Sequence, residues 1–566
     1  MVVTLRAALL PITLALALML ALLAILASGA ESKPKPTKPV PEDRTSNIQL
    51  LGVNDFHGQL EPTTRRDVPG RTLGGAAYLD AYFDRYEARN PERTIRVHAG
   101  DMVGASPLIS SYFHDEPSVY AMNEMEMDVG TLGNHEFDEG GEEMLRLING
   151  GQRSDGNQFK DGPDGEPINT SDPDFDGADF PYVAANTEYK DSGETVLPPY
   201  KIVKKDGINV GFIGVTTLET PNIVTPDAVA PFDYLDISET VNRYVAELKR
   251  KKVETVVVLA HAGGAQTTAT EAVGEIVSET QQMSDEVDVV VSGHSHSQLN
   301  NRVGNKLIVQ AFSLGTAFDA VNMKIDRRTK DVVSSSAEIV NTFNDAIAPD
   351  PATAELVAGY KDRIDPIANR VVGTAAENVV RTNNAAGESP LGQLIADAQR
   401  DFAGTQLAFM NPGGIRADIA AGEVTYAELF AVQPFDNQVV RLEMTGDQVY
   451  RVLEQQFQTD NNGNPRTRIL QVSGLEFSYN STNPAGQRIT SVTLPGGTPL
   501  DRAATYTVAA NSFIATGGDG FTVFKEGQNP NTLGSDLDAL EGYIDGLPSP
   551  FPAPDPNADP RITKQG

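Results

Sequence analysis

Cysteine is absent from all 566 residues, which excludes disulfides, thiolate zinc sites and cysteine-linked lipid anchors together. Basic charge is in short supply as well. Against 77 Asp plus Glu stand 45 Lys plus Arg, a net charge of −32. Such a surface repels polyanions, so extended nucleic acid is not an expected partner. Histidine is scarce too, at seven in the whole chain. Where those seven fall carries most of the functional information.

What the chain does contain is 40% hydrophobic residues, enough for sizeable cores, and a length that suits two large domains or three to four smaller ones. Residues 1–30 carry Arg6 as their one charge, an apolar run over 7–27 and the small residues Ser28, Gly29 and Ala30. This reads as a secretory signal peptide cleaved after Ala30, although the run is long enough to remain as an uncleaved membrane anchor. Residues 31–46, rich in Pro and Lys, follow as an extended linker. The pair implies a secreted or cell-surface protein, free of the membrane unless the anchor is kept.

The stretch that organises the rest is Thr131-Leu132-Gly133-Asn134-His135-Glu136-Phe137-Asp138. The preceding 125–129 alternates apolar and acidic residues as a strand could, and Gly133 allows a sharp turn, so Asn134 and His135 sit at a strand's end. Taken alone, the pair could be an ordinary turn. Earlier, strand-like 48–53 runs into Asp55 and His57, two apart and able to reach one cation, or else a solvated loop pair. The run 94–99 ends at Asp101, whose carboxylate could bridge two cations; His98 lies inside that strand and is structural, and His114 reads as a surface residue.

Further apolar runs at 182–185, 210–215, 255–259 and 287–291 alternate with helical segments such as 142–148 and 237–252. Two of the runs end in His261 and in His294 and His296. Strands alternating with helices predict an α/β fold. Five of the seven histidines thus lie at strand ends beside Asp and Asn, which core packing gives no reason for. Imidazoles, carboxylates and an amide without sulfur suit divalent Zn, Mn, Co or Fe better than Mg, and two such ions suit hydrolysis of a phosphate ester. The polar, Gly-, Asp- and Pro-rich 149–179 reads as a surface insertion; its Asp172, Asp174 and Asp176 begin a calcium-loop pattern that fails at Val183, leaving an acidic loop.

Asp55 and His57, Asp101, Asn134 and His135, His261, and His294 and His296 match in order the signature of the calcineurin-like metallophosphoesterases. From 48 to 524 the chain resembles the secreted and periplasmic 5′-nucleotidases. That resemblance implies a four-layer α/β/β/α sandwich over 47–345, a connector helix within 346–372, a second α+β substrate-binding domain over 373–548 and a tail over 549–566. It implies two metals, one on Asp55, His57, Asp101 and His296, the other on Asp101, Asn134, His261 and His294. At the place of His296 some members carry Gln. His135, oriented by Asp138, would contact the phosphoryl group. Asn411 and Arg416 would hold a nucleotide, Phe435 and Phe513 would sandwich its base, and Asn437 and Asp519 would make polar contacts. Read without the family, the two phenylalanines would be core residues.

The connector helix over 352–364 should stop or kink before Pro366. One departure tempers a pure 5′-nucleotidase reading: Gly387 and Glu388 stand where members have a further phosphate-binding arginine, for which Arg381 is an upstream substitute. The expected function is release of phosphate from nucleoside 5′-phosphates. A phosphodiesterase acting on 2′,3′-cyclic nucleotides or UDP-sugars, and a non-catalytic nucleotide-binding or adhesion protein, are the alternatives.

Overall fold

The computed structural model describes residues 40–153, 159–161, 167–435, 437–459 and 465–565, so the signal-like stretch and the linker up to residue 39 lie outside the described residues. The linker's last residues are not extended: Glu42–Arg44 form a turn and the first strand, Thr45–Val53, begins two residues before the expected start at 47. The Arg44 guanidinium holds this entry by bonding both carboxylate oxygens of Asp326 at 3.2 and 2.7 Å. Among the described residues no helix is long and apolar enough to cross a membrane.

Strand alternation explains the layers. In Thr255–His261, Val257 and Leu259 enter a layer between two sheets, while Val256, Val258 and Ala260 pack with the core beneath helices Ile237–Arg250 and Glu275–Gln282. In Thr45–Val53, Ile48 and Leu50 enter the same layer, while Leu51 and Val53 join the core under helix Ala76–Glu87. Strands apolar on both sides must be covered on both, which gives α/β/β/α. Each fully buried aliphatic side chain contributes about 1.5–3 kcal/mol.

The first sheet runs Val332–Asn341, Ala317–Asp326, Thr45–Val53, Thr94–His98, Val129–Thr131, Tyr182–Val183. The second runs Tyr200–Lys205, Ile208–Thr216, Thr255–His261, Val289–Ser292, Lys306–Ala311, Gln298–Val303. The middle strands of each are parallel, so their carboxyl ends open together.

Three local expectations change. The alternation over 125–129 is not a strand: helix Glu116–Glu124 ends at Met125, Glu126 turns at φ 48°, and pairing starts only at Val129. The methionines there alternate because a helix end and a turn bury Met125 and Met127 in one core. His114 is not on the surface; its ring is buried with Nε2 2.8 Å from Thr170 Oγ1, on the insertion's return limb. That limb is itself packed, because Phe175 is buried and the carboxylate of Glu116 accepts from Ser171 Oγ and Asp172 N at 2.5 and 2.7 Å.

The connector helix, Pro351–Ala368, starts on an Asp350 carboxylate that accepts from the amides of Ala352 and Thr353. It neither stops nor breaks before Pro366. The proline withholds one amide from exposed Asp362, and the next turn closes through Asn369 N–H to the Asp365 carbonyl at 3.0 Å. Beyond it a five-stranded sheet, ordered Gln471–Ser473, Leu407–Met410, Thr505–Asn511, Gln438–Thr445, Gln528–Ser535, packs on helix Pro390–Ala403. Residues 549–565 are no loose tail: Phe551 is buried, Ile562–Lys564 pairs parallel with Glu476–Tyr479, and Arg561 forks onto Asp397 with two bonds of 2.8 Å.

Candidate metal and substrate site

The loops after the parallel strands turn back sharply over the sheet ends. Asp55, His57, Asp101, His294 and His296 all stand in left-handed backbone conformations, at φ 50°, 50°, 55°, 76° and 51°. Side chains other than glycine are held there at a cost on the order of 1 kcal/mol or more each, and such strain gathers at functional sites.

These turns bring the sequence-named residues into one cluster. His57 Nε2 lies 3.0 Å from His296 Nε2 and 3.9 Å from Asp101 Oδ2. His296 Nε2 is 3.3 Å from Asp55 Oδ1, while His261 Nε2 is 3.0 Å from Asp101 Oδ2 and 3.2 Å from Asn134 Oδ1. Three overlapping ligand groups result: Asp55, His57 and His296; His57, Asp101 and His135; Asp101, His261 and His294.

The imidazole tautomers say what the cluster lacks. His57 Nδ1 sits 2.8 Å from the Gly104 carbonyl and His261 Nδ1 sits 2.9 Å from the Ala99 carbonyl. With each Nδ1–H donated to a carbonyl, each neutral ring turns a bare Nε2 lone pair inward. For His261 such a lone pair would meet the acceptor oxygens of Asp101 and Asn134, and although burial lowers its pKa, Asp101 and Asp55 raise it to about 10, so a proton fills that place when no cation does. The arrangement is short of positive charge, and a sulfur-free set of imidazoles, carboxylates and an amide is one that divalent cations fit. Burial would raise the Asp101 carboxyl, but His261, His135 and His57 around it hold it well below the usual carboxylate range. Burial and His296 together push the His57 imidazole down to about 3.

His135, although it shares one of these groups, is held as a cation. Burial alone would lower its pKa, yet the Asp138 carboxylate, 2.6 Å from Nδ1, together with Asp101 raises it to about 9. Its backbone N–H donates to Asp101 Oδ1 at 2.9 Å. The next residue, Glu136, carries a role that its place inside the motif could have signalled. Its buried carboxylate accepts from the amides of Asp101, Met102 and Gly133 at 3.0, 2.9 and 2.5 Å, tying the Asp101 loop to the Asn134 loop. Burial pushes that carboxyl up to about 7. Behind His135 lies Gly104, at φ 77°, where a Cβ would come within 2.7 Å of His135 Cβ and 2.8 Å of Asp138 Oδ2. Its N–H donates to Asp115 at 2.9 Å and its carbonyl accepts from His57, so the residue is fixed through the peptides on both sides of it.

The second domain closes the site into a cavity of about 340 Å³. Its walls include Asp101, Asn134, His135, Asp138, His294 and His296 from the first domain, and Asn411, Arg416, Phe435, Asn437, Phe513 and Asp519 from the second. Asn411 directly follows strand Leu407–Met410, and Phe513 sits in the short helix Ser512–Ala515 that follows strand Thr505–Asn511. Phe435 is stacked on His135, ring centres 6.0 Å apart and 10° between planes, with the Arg416 guanidinium 5.7 Å from its centre. Arg416 has no ion-pair partner among the described residues, and burial, with Arg381 nearby, lowers its pKa. Asp519 already accepts from Asn411 Nδ2 at 3.0 Å, and Asn437 Oδ1 from Ser512 at 3.1 Å. Arg381 does not line this cavity; its guanidinium donates to the Ile415 carbonyl at 3.2 Å and faces a neighbouring cleft with Arg66. Arg466 and Arg468 do line it, and no sequence signal marked them.

Comparison with known proteins agrees with this division. The calcineurin-like phosphoesterase family matches residues 48–298 and the 5′-nucleotidase C-terminal domain family matches 371–526. The chain is 35% identical over 537 residues to the endonuclease YhcR of Bacillus subtilis, covering 93% of this chain and 42% of that protein, so it spans less than half of that relative. It is 35% identical over 541 residues to the cell wall protein Lmo0130 of Listeria monocytogenes, covering 88% of this chain and 67% of that one. Among solved structures, a 5′-nucleotidase precursor from Thermus thermophilus superposes with a TM-score of 0.75 at 28% identity, covering 92% of this chain and all of that one.

Proposed function

The chain belongs to the calcineurin-like phosphoesterases that carry a 5′-nucleotidase C-terminal domain, and from that premise we propose that it is a metal-dependent hydrolase releasing phosphate from nucleoside 5′-phosphates. The observation that carries the reading is Arg416, a half-buried guanidinium without a counterion among the described residues, which lines the same cavity as Asp101, Asn134 and His135. Arginine presents a fork matched to phosphate, and an unpaired one beside a cation-poor cluster calls for an anion that binds both.

In this reading Asp55, His57, Asp101 and His296 hold one divalent ion, and Asp101, Asn134, His261 and His294 hold the other. When bound, the ions would supply Lewis acidity toward water and the phosphoryl oxygens. The chain's own residues do the rest. Glu136 fixes the backbone of Asp101, so the shared carboxylate stays between the two ligand sets. His135, kept protonated by Asp138, offers Nε2–H to a phosphoryl oxygen as charge develops on it. Arg416 takes a second oxygen of the same group. Phe435 and Phe513 present apolar faces to a base, Asn437 and Asp519 present polar atoms to base or ribose, and the closed walls keep bulk water out.

A phosphodiesterase reading, on a 2′,3′-cyclic nucleotide or a UDP-sugar, uses the same cluster; the endonuclease relative and the absent arginine at Gly387 favour it. We also infer an extracytoplasmic location, supported by the pattern of residues 1–30 and by the cell wall protein among the relatives. The test is phosphate release from AMP by protein stripped with chelator and resupplied with Mn, Zn, Co or Mg singly. Release that returns with an ion supports the nucleotidase and ranks the metals. Cleavage only of the cyclic nucleotide or UDP-sugar moves the function to a diesterase, and no cleavage of any of the three leaves a nucleotide-binding protein.

A further inference from the structure

The segment His294-Ser295-His296-Ser297 carries two of the clustered histidines and has no apolar side chain with which to anchor itself. Ser295 and His296 are exposed. Both histidines nevertheless stand in left-handed backbone conformations, at φ 76° and 51°, which a residue other than glycine keeps only where surrounding bonds impose it. The support lies beneath, on strand Lys306–Ala311. There Ile308 packs into the core under the helices, and Gln310, two residues on along the same face, is fully buried. An aliphatic side chain at 310 would extend that core, so a buried amide in its place has to be held by hydrogen bonds.

Those bonds all run to the histidine segment. Gln310 Nε2 donates to the Ser297 carbonyl and to Ser295 Oγ, each at 2.9 Å. The carbonyl can only accept, so Nε2 must face it, and Oε1 is left for Ser292 Oγ at 3.2 Å. One side chain thus touches residues before, between and after the two histidines. Ser295 passes the link on: its hydroxyl donates to the Gly264 carbonyl at 2.6 Å and accepts from Gly264 N at 3.1 Å, in the loop that follows strand Thr255–His261. The next two residues of the strand end clamp Asn54. Its Oδ1 accepts from Ala311 N at 3.0 Å, and its Nδ2 donates to the Phe312 carbonyl at 2.7 Å and to Asp55 Oδ2 at 2.5 Å. Loops bearing Asp55, His261, His294 and His296 therefore rest on one strand end.

We propose that Gln310 is a positioning residue for the metal centre: it fixes His294 and His296 relative to each other and, through Ser295, to the loop of His261, so that both ligand sets are formed before any ion arrives. This rests on the two-ion reading above and names a residue that stands behind the cavity walls and ligates nothing itself. Because His294 and His296 belong to different sets, losing the amide should weaken both ions together.

The experiment titrates Mn into the chelator-stripped full chain by calorimetry and follows urea unfolding of the metal-free protein, for wild type, Q310M, Q310E, S295A, the Q310M/S295A double variant and Q49M. Q310M keeps the length of the side chain without its hydrogen bonds and should weaken Mn binding about 10- to 100-fold. Q310E keeps an acceptor for Ser292 but has no hydrogen for Ser297, and should fall between Q310M and wild type. S295A should weaken binding as well, and adding it to Q310M should lose little more than Q310M alone, as for two residues of one relay. Gln49 is also buried, donating from Nε2 to Tyr86 O at 3.2 Å and Thr94 Oγ1 at 3.1 Å away from the ligand loops, so Q49M should lose stability and keep its Mn affinity. Mn affinity within threefold of wild type in Q310M would overturn the proposal, as would losses from Q310M and S295A that simply add. If Q310M does not fold, unchanged affinity in both Q310E and S295A overturns it instead. A wild type that binds neither Mn nor Zn would refute the metal reading on which the proposal rests.

Discussion

Replacing Gly104 by alanine tests whether the site depends on one fixed backbone residue. The added Cβ would lie 2.7 Å from His135 Cβ, 2.8 Å from Asp138 Oδ2 and 2.9 Å from the His135 carbonyl oxygen. Ordinary contacts need roughly 0.7–1 Å more, and neither a Cβ nor a backbone oxygen can rotate away. If the 104 peptide retreats, its carbonyl leaves His57 Nδ1, now at 2.8 Å; if His135 retreats, it leaves Asp138, now at 2.6 Å. Either movement misplaces a group by about 1 Å, which typically lowers turnover on the order of 100-fold. The left-handed φ of 77° adds about 1 kcal/mol and the overpacking about 1–3 kcal/mol of lost stability. Gly193→Ala is the control, since Gly193 has φ 70° and nothing within 4 Å of a built Cβ. That variant should lose about 1 kcal/mol and no activity. Steady-state phosphate release and urea unfolding of both proteins are the assays; a Gly104→Ala enzyme within threefold of wild-type kcat would refute the reasoning.

Glu136→Gln replaces one acceptor by a donor facing backbone N–H groups, so it should weaken metal binding about 10- to 100-fold by titration calorimetry, and unchanged affinity would reject the tie between the two loops. Asp80, pushed up to about 7 by burial although Thr353 donates to it at 2.5 Å, binds its proton more tightly folded than unfolded. Its contribution is therefore fullest at low pH and is lost as pH rises from about 4 through 7. Asp80→Asn should remove that slope and exceed wild type at pH 8 by on the order of 2–4 kcal/mol, and parallel urea stability profiles for the two proteins would contradict it. Gly130→Ala would put a Cβ 1.8 Å from Nε2 of His98, a buried ring wedged against Phe180 and Tyr182, and should cost about 3 kcal/mol or more; a melting temperature within a few degrees of wild type would count against that packing.

The layered fold and the cluster were legible because both are written locally. Apolar runs such as 255–259 end abruptly in polar letters, and a strand end followed by His261 or by His294 and His296 is visible without knowing which strands are neighbours. The alternation at 125–129 misled for the same reason, since helix ends and strands can share a short pattern. Pro366 misled because a proline in a helix's last turns removes only one bond to an exposed carbonyl. Glu219 and Arg466 were not legible at all. They meet across 247 residues and two domains, and neither carries a pattern that points at the other. The packing of 549–565 was hidden similarly, because its Pro- and Asp-rich composition says loop while Phe551 and Ile562 are buried by partners far earlier in the chain.

The left-handed turns at Asp55, His57, Asp101, His294 and His296 bear on how this site can decay over generations. Glycine adopts that conformation without steric cost, and the relief roughly offsets the extra freedom it gives the unfolded chain. Folding selection therefore opposes a change to glycine least at the exposed His296, and most at buried Asp55, His57 and Asp101, whose loss would leave a cavity and unpaired N–H groups. A lineage that stopped needing the chemistry would lose it first at His296, where the fold loses least from the change and only use maintains the histidine.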